Sequence, residues 1–219
     1  FDTAKVVADN REYKTMTGKY KGRSISVTST GIGCPSTAIA VEELANIGAK
    51  TFVRMGTSGA MQDFTRVGDK VIATGAVRFE GTSVQYMPIE FPAVASHEMV
   101  TALVRSASDA KLNYHTGIVQ SKDSFYGQHS PEDMPIAQEL LQKWDAWVKG
   151  GVLCSEMEAA TLFVVGSYRK LRTGAVLLVA GDQAKGESLT KEDYQQNMTE
   201  SINMILEASL DIEEESSNG

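Results

Sequence analysis

The stretch "TGAVLLVA", residues 173 to 180, is a continuous apolar run of strand length. Strands covered on both faces, as in parallel sheets, have sequences of this kind, whereas strands with one face in water alternate between apolar and polar residues. The run therefore predicts a central strand in a sheet that is packed between helices.

The segments on either side of this run alternate between strand and helix patterns. Strand patterns lie at 24–30, 51–55, 70–81 and 116–122. Helical patterns lie at 35–48, 97–112, 136–148, 155–171 and 191–210. Such alternation predicts an α/β fold, a three-layer α/β/α sandwich around a mixed, mainly parallel central sheet.

Length and charge limit the number of domains and the class of partner. The 219 residues suit a single domain over 1–210, followed by an acidic tail at 211–219 that we expect to be disordered. The 21 basic and 28 acidic residues give a net charge of -7, so a surface for nucleic acid or an anionic membrane is not expected. The apolar runs are too short to span a bilayer, and no signal-like segment opens the chain.

The cysteines and histidines form no pattern typical of a metal site. Cys34 and Cys154 lie far apart, and the three histidines are scattered. We expect buried free thiols in a reducing compartment, and hence a cytoplasmic protein.

Ligands of parallel sheets bind at the carboxyl ends of the strands, and the first unusual stretch there is "STGIGCPS", residues 29 to 36. It is similar to a dinucleotide fingerprint only loosely, because Ser36 stands where the third glycine or alanine belongs and no P-loop lysine follows. We therefore expect no nucleotide cofactor, although the glycines allow a ligand to approach the backbone closely.

The second stretch is "RMGTSGAMQ", residues 54 to 62. One interpretation is a strand that ends in a tight turn with a solvated Arg54. The other is an anion site, in which backbone N–H groups near Gly56, the Thr57 hydroxyl and the Arg54 guanidinium surround a tetrahedral oxyanion.

The third stretch, "SEMEAATLF" (155 to 163), places Glu156 and Glu158 at the start of a predicted apolar helix. Such acidic residues often only complement the helix dipole. Alternatively, a carboxylate here binds the vicinal hydroxyls of a sugar.

The fourth stretch, "SKDSFYGQ" (121 to 128), combines aromatic residues with an amide. Phe125 and Tyr126 are core residues in one interpretation. In the other, Phe125 offers a face to a planar base, and Gln128 reads the base edge as both donor and acceptor.

Together, six segments resemble the nucleoside phosphorylase family, in the family's order and over nearly the whole chain. They are "NREY" (10–13), "STGIGCPSTAIAVEEL" (29–44), "RMGTSGAMQ" (54–62), "EFPAVA" (90–95), "DSFYGQ" (123–128) and "SEMEAATL" (155–162). "EFPAVA" and "FYGQ" indicate the pyrimidine branch. The resemblance implies phosphorolysis, in which a nucleoside and phosphate, the co-substrate, give a free base and ribose 1-phosphate.

The resemblance also implies the roles of individual residues. Arg54, Glu158 and Gln128 are expected to be catalytic. The expected phosphate ligands are Arg54, Gly56, Thr57 and, from a neighbouring subunit, Arg11; the ribose ligands are Met157, Glu158 and Thr57; the base ligands are Phe125, Gln128, Glu156 and Gly59.

The family further implies a homo-oligomer, a hexamer built as a trimer of dimers. In some members a monovalent cation binds at the dimer interface, and Glu12, the Ile32 carbonyl and Ser36 match that site. We therefore expect K+ there and no organic cofactor.

Three departures keep alternatives open. The family's first strand and its phosphate loop with a further arginine should precede Phe1, and they are absent from this chain. His129 and Ser130 follow Gln128, where the family has an arginine two positions on. Asp182 lies near the catalytic acid of purine-cleaving relatives. Uridine is the expected substrate, with a purine nucleoside phosphorylase or a non-catalytic nucleoside-binding relative as alternatives.

Overall fold

The computed structural model describes residues 3–212, which form a mixed α/β fold. Its α-helices are α1 (Cys34–Asn46), α2 (His97–Asp109), α3 (Phe125–His129), α4 (Ala137–Lys149), α5 (Ala159–Arg169) and α6 (Lys191–Leu210). Its strands are β1 (Thr3–Asn10), β2 (Tyr13–Tyr20), β3 (Arg23–Thr28), β4 (Thr51–Ala60), β5 (Lys70–Phe79), β6 (Ala93–Val94), β7 (Tyr114–Lys122), β8 (Cys154–Glu156), β9 (Arg172–Asp182) and β10 (Glu187–Ser188).

The central sheet has seven strands in the order β10-β9-β4-β8-β7-β5-β6. The long ladders β4–β9 and β5–β7 are parallel, while β4–β8, β5–β6 and β9–β10 are antiparallel. The prediction of a mixed central sheet within an α/β fold is confirmed.

The sheet is also partly closed, which the sequence did not indicate. The start of β5, Lys70 to Ile72, pairs antiparallel with Leu178 to Val176 of β9. This pairing closes a ring of five strands and gives the sheet a partly barrel-like shape; the strands are β9, β4, β8, β7 and β5. The prediction of a sandwich around a mixed, mainly parallel sheet did not include this partial closure.

The apolar run that predicted a central strand lies in β9, and its side chains alternate between two hydrophobic clusters. Leu177 and Val179 belong to the larger cluster with much of α5, whereas Val176 belongs to a second cluster with residues of α2 and α6. All three are fully buried. A strand buried on both faces explains the continuous apolar sequence.

Two strands at the start of the chain were not predicted. β1 and β2 form an antiparallel meander with β3, and every residue of β1 is exposed. Because neither face of β1 packs against the core, its sequence lacks the apolar alternation that marks a half-buried strand.

Two predicted boundaries differ most from the structure, and both lie in the candidate site. The strand predicted at 51–55 continues to Ala60, because this segment pairs with β9 on one side and β8 on the other. The helix predicted from residue 155 begins at Ala159, because Cys154–Glu156 forms the short strand β8.

Both cysteines are free and buried, as predicted. Within the described residues, no helix combines the length and the apolar composition that a membrane span requires. The predicted tail lies outside the described residues except for Asp211 and Ile212.

Candidate active site

Arg54 lies in the middle of β4, and its side chain folds back over Gly56 on the same strand. A Cβ added at Gly56 would lie 2.6 Å from the Nη2 atom of Arg54. Any other residue at position 56 would therefore displace the guanidinium. The glycine is explained by the space that the arginine needs, although both residues lie in a strand rather than in a turn.

The guanidinium of Arg54 binds two buried carboxylates. Its Nε atom donates to Glu156 Oε2 at 2.9 Å, and its Nη2 atom donates to Glu158 Oε2. The side chain of Glu156 is fully buried, that of Glu158 is 5% exposed, and that of Arg54 is 15% exposed. Each buried carboxylate would destabilise the fold without its cationic partner, so these three residues form one ion-pair cluster.

Glu156 closes β8 and also organises the start of α5. Its carboxylate accepts from the backbone N–H groups of Glu158 at 2.8 Å and Ala159 at 3.0 Å, and from the Ser121 hydroxyl. These are N–H groups that a helix start leaves without an intrahelical acceptor, and a negative charge there is favourable. The carboxylate thus binds groups of the protein itself, and its expected contact with the base stays a prediction.

Glu158 joins the cluster to the glycine turn at 29–36. Gly33, at φ 102°, donates its backbone N–H to Glu158 Oε1 at 2.6 Å. Cys34 donates its thiol to the carbonyl oxygen of the neighbouring Met157 at 3.2 Å. Burial raises the pKa of Glu158 above its usual range, although the Arg54 charge opposes this effect. The turn therefore fixes the carboxylate of Glu158.

Gln128 lies in α3, beside Gly59 of β4. Its Nε2 atom is 3.9 Å from the point that a Cβ of Gly59 would occupy, and its Oε1 atom contacts the Ser155 hydroxyl. Phe125 is half exposed and stacks on the His129 ring, with ring centroids 4.1 Å apart. The Gln128 amide, whose Nε2 atom donates to no group within residues 3–212, therefore lies next to the strand that carries Arg54.

Other predicted residues lie outside the ion-pair cluster. Thr57 is exposed, and no hydrogen bond links its side chain to Arg54 in the described part of the chain. Arg11 is exposed at the β1–β2 turn, where its φ is 54°. Ser36 donates to Glu12 Oε1 at 3.0 Å, while the Ile32 side chain is 79% exposed.

Two residues of the site gave too weak a signal to be singled out from the sequence. Lys122, at the end of β7, is 4% exposed, and its ammonium donates to Ser155 Oγ at 2.7 Å. Ser155 lies between Gly59 of β4 and Gln120 of β7 in the sheet register. The available signal for Lys122 was its position at the end of a predicted strand. Because strand ends are commonly solvated, this position did not indicate a buried lysine.

Asp182 is held by a neighbouring cation. It is the last residue of β9 and is 5% exposed, and its Oδ2 atom lies 2.7 Å from the Lys185 ammonium. Burial favours its neutral form, but the bonds from Lys185 outweigh burial and hold the pKa of Asp182 below its usual range. This carboxylate is ionised at neutral pH and has no proton to donate.

Two cavities, of about 550 and 610 Å³, lie elsewhere along α6. Neither contains any of the predicted site residues. Within residues 3–212, no group of histidine, cysteine and acidic side chains is arranged to hold a metal ion.

Comparison with known proteins identifies the relatives of this chain. Residues 1–211 match the model of the phosphorylase superfamily. The uridine phosphorylase of Treponema pallidum is 54% identical over 203 residues, which are 92% of this chain and 78% of that protein. The uridine phosphorylase of Thermococcus kodakarensis is 48% identical over 85% of this chain and 68% of that protein. The guanosine phosphorylase of Halorubrum lacusprofundi is 41% identical over 94% of this chain and 84% of that protein.

The ion-pair cluster predicts a stability defect that depends on pH. Replacing Arg54 by methionine leaves two buried carboxylates without their cation, and we expect a loss of about 3 kcal/mol in the free energy of unfolding at pH 8. The loss of the guanidinium raises the pKa of Glu158 further above its value in the unfolded chain. Stability is then lost as the pH rises through the folded-state pKa, so the defect should be about 1 kcal/mol smaller at pH 5.

Urea unfolding of the Arg54→Met variant at both pH values measures this difference. The control is Arg105→Met. Arg105 lies 3.3 Å from Asp211 in an exposed ion pair, so this variant should lose less than about 1 kcal/mol in the free energy of unfolding. An Arg54→Met defect of equal size at pH 5 and pH 8 would contradict the interpretation.

Proposed function

The chain belongs to the phosphorylase superfamily, and we propose that it is a uridine phosphorylase, which converts uridine and phosphate reversibly to uracil and ribose 1-phosphate in pyrimidine salvage. The observation that carries the proposal is the Arg54 guanidinium held against Glu158 beside Gly56, with Gln128 next to Gly59 on the same strand. β4 thus supplies a cation for phosphate, the start of α5 a carboxylate for ribose, and α3 an amide for the base.

Phosphate binds to Arg54 and to the backbone N–H of Gly56, with the exposed Thr57 hydroxyl as a further donor. The guanidinium is planar and matches two phosphate oxygens at once. Because Glu156 and Glu158 fix its orientation, Arg54 is ordered before the anion arrives. Such preorganisation reduces the entropy lost on binding.

Glu158 binds the ribose hydroxyls with Met157 and Thr57. A phosphate oxygen attacks C1′ as the bond from C1′ to the base nitrogen lengthens, and the bonding electrons leave with the base. Positive charge develops on the sugar and negative charge on the base. The bound phosphate is therefore both nucleophile and counter-charge, and the buried carboxylate of Glu158 stabilises the cationic sugar.

Gln128 and Phe125 hold uracil. Gly59 and Glu156 are the further residues that we assign to the base. The glutamine amide accepts from the ring N–H and donates to the adjacent carbonyl oxygen. Since that oxygen gains negative charge as the base departs, the bond from Gln128 strengthens in the transition state, which is the requirement for catalysis.

We also infer that the chain acts as a homo-oligomer, a hexamer made of three dimers, in which Arg11 reaches the phosphate of a neighbouring subunit. The exposed position of Arg11 at a hairpin turn supports a contact in trans. K+ would bind at the dimer interface to Glu12, the Ile32 carbonyl and Ser36. The contact between Glu12 and Ser36 supports a site of oxygen ligands, in which the cation would neutralise the carboxylate.

The finer fold assignment is a proposal as well. A three-layer α/β/α arrangement over a single domain, 1–210, is supported by the two clusters that take alternate residues of β9. A cytoplasmic location is supported by the two free thiols.

The second candidate is a purine nucleoside phosphorylase, favoured by the relative from Halorubrum that is named for guanosine. A purine needs a proton donor near its imidazole nitrogen, and Asp182 is the candidate. Its ion pair with Lys185 keeps it ionised, which supports uridine instead.

The proposed reaction predicts that base release depends on phosphate. The protein should release uracil from uridine when phosphate or arsenate is present, and Arg54→Ala should raise the KM for phosphate by about tenfold or more. Uracil release is followed by ultraviolet absorbance, and Arg105→Ala is the control for loss of an exposed arginine. Equal rates in phosphate-free buffer would identify a hydrolase and refute the proposal.

The choice of base predicts a contrast between two single variants. Gln128→Ala should lower kcat/KM for uridine by at least about tenfold, because a donor to the departing base is lost. Asp182→Asn should change it far less. Both variants are assayed on uridine and inosine at saturating phosphate. If inosine is the better substrate, or Asp182→Asn is inactive while Gln128→Ala is not, the purine alternative replaces this assignment.

A further inference from the structure

Lys122 is a buried cation that the proposed mechanism has not used. It is 4% exposed at the end of β7. Lys70, which is buried to the same degree at the start of β5, forms an ion pair with Glu200 at 2.6 Å. Lys122 forms no ion pair within residues 3–212, and its ammonium donates to the neutral Ser155 hydroxyl. Burial of a charge without a paired carboxylate is costly, so this lysine needs an explanation besides stability.

Ser155 links Lys122 to the residue that we assign to the base. Its Oγ atom accepts from Lys122 and contacts two amide oxygens, those of Gln120 and Gln128. Because the lysine occupies a lone pair of the hydroxyl, the single serine proton is directed at one of the two glutamine oxygens at a time. The contact with Ser155 uses one lone pair of the Gln128 oxygen and leaves the other for the base, while the Nε2 donor lies on the side of Gly59.

We propose that Lys122 is a positioning residue for departure of the base, which acts through Ser155 to orient the Gln128 amide and to place a positive charge behind it. The proposal rests on the proposed function, because it requires a base that leaves with negative charge. As the glycosidic bond breaks, the electron pair moves to the base and spreads onto its carbonyl oxygens. A fixed cation behind the donating amide stabilises that charge without reorganisation.

The surroundings of Lys122 support a charged form at neutral pH. Burial lowers its pKa to about 8, while the charges of Glu156 and Glu158 act in the opposite direction. His129 also faces this charge, and burial together with Lys122 lowers the pKa of His129 below its usual value. The imidazole is therefore mostly neutral and does not compete with Lys122 as the cation of this region.

A purely structural role for Lys122 predicts different kinetics. If the lysine only filled space, its loss would slow every substrate to the same extent. If it stabilises charge on the leaving base, its loss should matter less when the base is intrinsically a better leaving group. Uridine and 5-fluorouridine provide this comparison, because fluorine stabilises the base anion with little change in shape.

The experiment measures single-turnover release of base from both nucleosides at saturating phosphate and pH 7, in the full chain, in two Lys122 variants and in one control variant. Lys122→Met should slow uridine cleavage by about tenfold. The same variant should slow 5-fluorouridine cleavage by only about threefold. Lys122→Gln keeps a donor to Ser155 without the charge and should give the same pattern, which covers the case that the methionine variant does not fold. Lys70→Met, the matched buried lysine far from the site, should slow both substrates equally or not at all.

The outcomes separate the two proposals. If the unaltered chain releases no uracil from uridine with phosphate, the proposed function is wrong and this inference falls with it. If the unaltered chain is active but the Lys122 variants lose the same factor on both nucleosides, or lose nothing, the inference alone is overturned.

Discussion

The ion pairs of Arg54 with Glu156 and Glu158 are the interaction on which the rest of the site depends. They join the middle of β4 to the end of β8 and the start of α5, three elements that are distant in sequence. Each member has a second function in the fold. Glu156 accepts N–H groups at the start of α5, Glu158 accepts from the glycine turn, and Arg54 requires a glycine two residues on. The packing of the sheet thus fixes the arginine that we propose as the phosphate ligand.

Charge balance links this cluster to the region of the base. Two buried carboxylates face the buried cations Arg54 and Lys122, so the site without ligands is close to neutral. A phosphate dianion therefore needs further positive charge, which is the reason to expect Arg11 from a neighbouring subunit. The same balance keeps Lys122 protonated, because Glu156 and Glu158 offset part of its desolvation.

The sequence predicted those parts whose physics is local. The boundaries of α6, Lys191–Leu210, follow from its capping and periodicity, and β9 follows from its apolar run. β1 was missed because no core covers it, and the extension of β4 through Gly56 was missed because glycines ordinarily interrupt strands. The strand at Glu156 and the contact of Lys122 with Ser155 depend on pairing between distant segments, which no local pattern records.

The central claim is that an anion bound at Arg54, and not water, attacks the sugar of the nucleoside. The most direct measurement is isotope tracing, with uridine and phosphate incubated with the protein in water labelled with oxygen-18 and the sugar product analysed by mass spectrometry. Phosphorolysis predicts ribose 1-phosphate without the label, because the new bond at C1′ comes from a phosphate oxygen. Free ribose that carries the label at C1′ would contradict the claim.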